Sequence, residues 1–175
     1  MNHFVCCDIS NNTYADKFGF TDHEIDRILS DTGFLEKKHK LKEWYDGYCF
    51  GNIAGIYCPL DIMQYMHTLQ KDPTAEPELF WKNTSGNDII QLAIQQIENT
   101  SREKIEILLF GKSIQEKLES QLTYNSITEN ESTIWSLLYT SGYLTRSDTK
   151  YQRKFTTIMI PNKEVKEIFT TDVQR

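Results

Sequence analysis

The sequence predicts a mainly α-helical fold with a small β content: a helical subdomain carrying one aromatic β-hairpin, followed by a winged-helix-like unit. Three observations predict it. Apolar residues recur three and four apart through most of the chain, the spacing that lines one face of a helix. The stretch Trp44-Tyr45-Asp46-Gly47-Tyr48-Cys49-Phe50-Gly51-Asn52, continued by Ile53-Ala54-Gly55-Ile56-Tyr57-Cys58-Pro59, breaks that spacing with three of the chain's eight glycines and five aromatics among polar turn formers. The C-terminal part, from about Glu129, reads helix, strand, loop, strand, helix.

Taken in order, Phe4-Val5-Cys6-Cys7 is a short apolar run, an edge strand or a frayed end. Thr21-Asp22-His23-Glu24 is a capping box, in which the threonine hydroxyl accepts from a backbone N–H and the glutamate reaches back. Ile25, Ile28 and Leu29 make the stripe of the helix it starts, and Gly33 stops it. A second helix is expected from about Leu35 to Trp44, with Leu41 and Trp44 inward. Asp46-Gly47 and Gly51-Asn52 are turn dipeptides that bracket a strand at Tyr48–Phe50, with a second strand at Ile56-Tyr57. Asp46 fixes its turn, and Trp44, Tyr48, Phe50 and Tyr57 form a sheet face packed on helices.

Pro59 suits the first turn of a helix and opens one that runs from Leu60 to about Leu69. Pro73 and Pro77 mark Gln70 to Glu78 as a surface loop. Ser85-Gly86-Asn87-Asp88 caps a helix through about Ile97, and another spans Ile105 to Phe110, ended by Gly111. Ser113-Ile114 and Leu118 suggest an extended segment. Ile134 to Tyr143 reads as a helix ended by Gly142, Tyr143 to Arg146 and Phe155 to Ile160 as strands, and Asn162 as the cap of a final helix. The division drawn from these features is 1–122, a helical subdomain with its hairpin at 44–59, and 123–175, the winged-helix-like unit.

The hairpin stretch also resembles a known family. Trp-Tyr-Asp-Gly-Tyr-x-Phe-Gly followed by Ile-Tyr-x-Pro is similar to the AAA-ATPase-like proteins, P-loop proteins often fused to a C-terminal PD-(D/E)XK nuclease-like domain. Three more blocks resemble them in the same order: Tyr14-Ala15-Asp16-Lys17-Phe18-Gly19-Phe20-Thr21, then Phe80-Trp81-Lys82-Asn83-Thr84-Ser85-Gly86-Asn87-Asp88, then Ile134-Trp135-Ser136-Leu137-Leu138-Tyr139-Thr140-Ser141-Gly142-Tyr143-Leu144-Thr145. The residues that carry the pattern are Trp44, Asp46, Gly47, Tyr48, Gly51, Pro59, Trp81, Asn83, Trp135 and Gly142. The resemblance covers the region that follows the nucleotide-binding core. It implies a lid and coupling segment that lacks both the core and the nuclease-like domain, with ATP and Mg²⁺ belonging to the core and no cofactor or catalytic residue in this chain. Met1 falls where relatives have already left the core.

Composition sets the remaining bounds. A chain of 175 residues with 39% apolar and 25% charged residues is ordinary for a soluble globular protein, and no apolar run approaches the length of a membrane span, so the expected location is cytoplasmic. Cys6, Cys7, Cys49 and Cys58 lack C-x-x-C spacing and neighbouring paired histidines, so buried thiols are the expectation rather than zinc. His3, His23, His39 and His67 are scattered with no nucleophile that sequence places beside them.

Phe110-Gly111-Lys112-Ser113 ends like a phosphate-binding loop, but Glu106 stands where the first glycine belongs; a helix stop is the better account. Glu164-Val165-Lys166 has the spacing of half a nuclease motif, without a preceding Pro-Asp and within an expected helix. A net charge of -6 argues against coating nucleic acid. Between Tyr143 and Lys163, however, Arg146, Lys150, Arg153, Lys154 and Lys163 outnumber the single acid Asp148. Arg146, Lys150, Tyr151, Arg153 and Lys154 are therefore candidate contacts to nucleic-acid phosphates. The alternative function is a stand-alone winged-helix module binding DNA non-specifically or another protein, and apolar surface left by an absent core would promote self-association.

Overall fold

The computed structural model describes residue 9 and residues 11–81, 87–119, 130–147 and 155–173. The fold is mainly helical with two small antiparallel sheets, a two-stranded hairpin and a three-stranded sheet. After a 3-10 segment, Asn12–Lys17, helix α1 (Asp22–Thr32) begins at the expected capping box: Glu24 N–H donates to Thr21 Oγ1, and the Glu24 carboxylate accepts from Thr21 N–H. A 3-10 turn at Leu35–Lys37 leads into α2 (Lys38–Tyr45), so the second helix is α-helical only in its later part.

Strands β1 (Tyr48–Phe50) and β2 (Ile53–Ile56) turn at Gly51-Asn52, and their register shifts between Tyr48 and Cys49. Tyr57 lies past β2 and bridges to Phe20 by two backbone hydrogen bonds of 3.1 and 2.8 Å. Helix α3 (Pro59–Lys71) starts with proline as its first helical residue. Helix α4 (Asn87–Leu109) joins what the sequence shows as two helices; the backbone is non-helical at Ser101, where the break was expected. Gly111 ends it, with Gly111 N–H on Leu108 O and Lys112 N–H on Ile107 O. The extended segment near Ile114 is β3 (Ile114–Glu116).

The C-terminal order is α5 (Glu131–Thr140), β4 (Thr145–Arg146), β5 (Thr156–Met159) and α6 (Lys163–Val173). Both strands are shorter than expected, and β5 is central in the sheet β3-β5-β4. Asn130 caps α5 through Thr133 N–H, and Asn162 caps α6 through Val165 N–H.

Two hydrophobic clusters form. Ile25, Leu29, Leu41, Tyr45, Ile62 and Leu69 bring α1, α2 and α3 together. Ile94, Leu108, Trp135, Leu138, Ile158 and Phe169 bring α4, α5, β5 and α6 together, so packing groups α4 with the C-terminal elements. Each fully buried aliphatic side chain contributes about 1.5–3 kcal/mol of transfer free energy. No described helix is long and apolar enough to cross a membrane.

Candidate functional site

Four consecutive residues at the start of α6 form the joint between these clusters. The Pro161 backbone lies so close to Gly47 that a Cβ on Gly47, whose φ is 102°, would stand 2.0 Å from the Pro161 carbonyl oxygen. Asn162 Nδ2 donates to Asp46 O at 3.0 Å while its Oδ1 caps the helix. Lys163 pairs with Glu43 at 3.0 Å and lies 4.7 Å over the Trp44 ring. Glu164 Oε1 accepts two backbone N–H groups, those of Phe80 and Trp81. Gly47, read from sequence as a turn glycine, is thus also required by a neighbour 114 residues away, because only hydrogen fits against that carbonyl.

Glu164 meets Asp61 of α3, and each carboxyl is only 1% exposed. The Asp61 oxygens take no hydrogen bond of ordinary geometry among the described residues, but the neighbouring Cys58 thiol and Glu164 carboxyl both favour its charged form. Burial drives both carboxyls above the usual carboxylate range. At Glu164 the Asp61 charge adds to that rise, and the Trp81 and Phe80 N–H groups oppose it. Burial also raises the Cys58 thiol to about 12, with the Asp61 charge as the next cause. Such a pair can hold and release a proton.

Next to the pair opens an aromatic cavity of about 170 Å³. Phe18 comes to it from the first of the four sequence blocks, Tyr48, Phe50, Tyr57, Cys58 and Pro59 from the second, Trp81 from the third, and Tyr139 to Gly142, Leu144 and Thr145 from the fourth; Ile9 completes the wall. Trp81 stands at its centre. Its ring lies 6.5 Å from Tyr48 and 5.5 Å from Tyr143, and Tyr48 stacks 5.8 Å from Phe50, which meets Phe18 edge-on at 5.6 Å. Gly142 (φ 84°) ends α5 directly beneath Trp81, where a Cβ would stand 2.7 Å from the ring. Trp135 is not part of this wall: it fills the C-terminal core, with Nε1 donating to Glu131 at 3.0 Å.

Arg146 differs from expectation. It is 3% exposed, its Nη2 donates to the Gly51 carbonyl, and it lies 3.8 Å from Cys49 Sγ. The guanidinium joins β4 to the hairpin turn instead of facing phosphate, because β4 sits beside β1, where Cys49 N–H also donates to Thr145 Oγ1 at 2.8 Å. Lys150, Tyr151, Arg153, Lys154 and Asn83 lie outside the described residues. Lys166 is exposed on α6 and Glu164 is buried, so the Glu164-Val165-Lys166 spacing does not bring the two together. Cys49 and Cys58 form no disulfide, and no described group of three His, Cys, Asp or Glu residues could hold a metal ion.

Sequence reading missed Asp61 and weighed Glu164 only as half of a nuclease motif. Each falls in the first turn of its helix, where an acid is explained locally by the helix dipole, and nothing along the chain links them. Compared with family models, with curated proteins and with solved structures, the chain finds no match in any of the three.

Proposed function

We propose that the chain is a non-catalytic lid and coupling segment of an AAA-ATPase-like protein, acting on a P-loop core that lies outside this sequence. The observation that carries this reading is the convergence of the four resembling blocks. They are separated by up to about a hundred residues, yet they supply every wall of the aromatic cavity except Ile9. Residues that share a spot without sharing a local structural need are those on which a common job would depend.

The joint beside the cavity supports the same reading. A coupling element needs two packed bodies and a contact that can take two arrangements. Here the two bodies are the α1–α3 cluster and the α4–α6 cluster, and residues 161–164 fasten one to the other. Phosphate binding by Gly111-Lys112-Ser113 finds no support, since the Gly111 and Lys112 amides are spent on ending α4. The test is calorimetry with ATP and Mg²⁺ on this chain alone. No saturable heat is expected, and saturable binding would overturn the assignment of nucleotide to the core.

A further inference from the structure

Among the described residues, the joint contains two acids with no cation beside them. Asp61 on α3 and Glu164 on α6 meet out of contact with bulk water, and the groups facing them from each packed element are Tyr45 of α2, Tyr48 of β1, the Cys58 thiol before α3, and the Phe80 and Trp81 backbone N–H groups. None of these is basic. The nearby Lys163 turns away to Glu43 and Trp44. Two carboxylates in contact cannot both ionise at such a site without strong repulsion.

We infer that Asp61 and Glu164 share one proton that closes the joint, and that losing it releases the first turn of α6 from residues 80–81. The two oxygens differ in what they accept, and this locates the proton. Glu164 Oε1 takes two backbone N–H groups, which leaves its other oxygen to carry the proton. The Asp61 oxygens take no hydrogen bond of ordinary geometry from other described groups, and the contact between the two carboxyls lowers Asp61 while it raises Glu164, so Glu164 is the acid that gives its O–H to Asp61. Removing that proton puts a second negative charge beside the first, and the contact converts from a hydrogen bond into a repulsion.

The direction of the pH response follows. Both folded carboxyls hold protons at pH values where the unfolded chain has released them, so the unfolded state binds fewer protons. The closing contribution is complete below the ordinary carboxylate range near about pH 4. It is lost as pH rises through the folded range, which for Glu164 extends to about 8. This device does not depend on the coupling reading, since it requires only the two carboxyls and the joint they close.

The experiment is a pH titration of the whole chain by NMR, following the side-chain carboxyl carbons of Asp61 and Glu164 and the amide exchange of Phe80 and Trp81. The pair should titrate with at least one midpoint above about pH 6, well beyond the ordinary carboxyl value. Over the same interval the Phe80 and Trp81 amides should exchange at least about tenfold faster than base catalysis alone requires, while Ile25 and Leu29 in α1 stay protected. In Asp61→Asn a fixed amide replaces the shared proton, and the Phe80 and Trp81 amides should stay protected at high pH. Ordinary midpoints near about pH 4 for both carboxyls would overturn the inference. So would unchanged Phe80 and Trp81 protection in the unsubstituted chain, a result that needs no variant to fold.

Discussion

Gly142→Ala tests the centre of the aromatic cavity. Two penalties meet at this position. A residue with a Cβ is strained at a φ of 84°, which costs about 1–2 kcal/mol. The added methyl would also stand 2.7 Å from Trp81 Cη2, closer than packed carbons approach, so the indole must move by roughly 1 Å. That movement disturbs the Trp81 contacts with Tyr48 and Tyr143, each worth about 0.5–1.5 kcal/mol beyond area burial. The sum is about 2–5 kcal/mol, a fall in Tm of roughly 4–20 °C for a chain of this size.

Gly33→Ala supplies the control. Gly33 also has a left-handed backbone, with φ 79°, but nothing lies within 4 Å of the position a Cβ would take. It carries the backbone penalty alone. Urea unfolding followed by circular dichroism should show Gly142→Ala losing about 1–3 kcal/mol more than Gly33→Ala. Equal losses would refute the packing of Trp81 over Gly142, and with it the account of the cavity.

Other substitutions probe the joint and its surroundings. Gly47→Ala sets a methyl against a backbone carbonyl that cannot rotate away, so it should cost more than about 3 kcal/mol in urea unfolding and shift the Lys163 amide signal; a loss near 1 kcal/mol would contradict the close approach of Pro161. Arg146→Ala strips the Gly51 carbonyl of a buried donor and should lower stability by roughly 2–4 kcal/mol, with Arg146→Lys restoring little because an ammonium cannot reproduce the guanidinium's flat reach; an unchanged urea midpoint would place Arg146 at the surface. Glu131 accepts from Lys104 and Ser101, which hold its carboxyl down at about 2. Its depressed value means stability present above the ordinary glutamate range and lost as pH falls toward 2, so Glu131→Gln should cost about 1 kcal/mol at neutral pH and flatten the acid limb of the stability curve.

Local signals were the legible ones. The capping box at Thr21 and Glu24, proline at the start of α3, the Gly111 stop and the Asn162 cap each need only a few neighbouring residues, and each is found where the sequence puts it. The break that the sequence leaves between about Ile97 and Ile105 is found as a kink at Ser101. What joins distant parts was not legible. Asp61 and Glu164 are ordinary first-turn acids until α3 and α6 meet, and Arg146 belongs to a basic run until β4 is laid beside β1. Gly47 and Gly142 could be recognised as turn and helix-end glycines, but the reasons no side chain fits there are Pro161 and Trp81. The four resembling blocks could be seen in order, while their meeting around one cavity required the fold.

The most direct measurement is nucleotide-dependent association with a P-loop core. An AAA-ATPase-like core domain, prepared without its own following segment, would be mixed with this chain and followed by sedimentation velocity without nucleotide, with ADP, and with ATP and Mg²⁺. A coupling segment should form a complex whose affinity changes by at least about tenfold between nucleotide states, a coupling free energy of about 1.4 kcal/mol. No complex in any state, or the same affinity in all three, would contradict the proposed function.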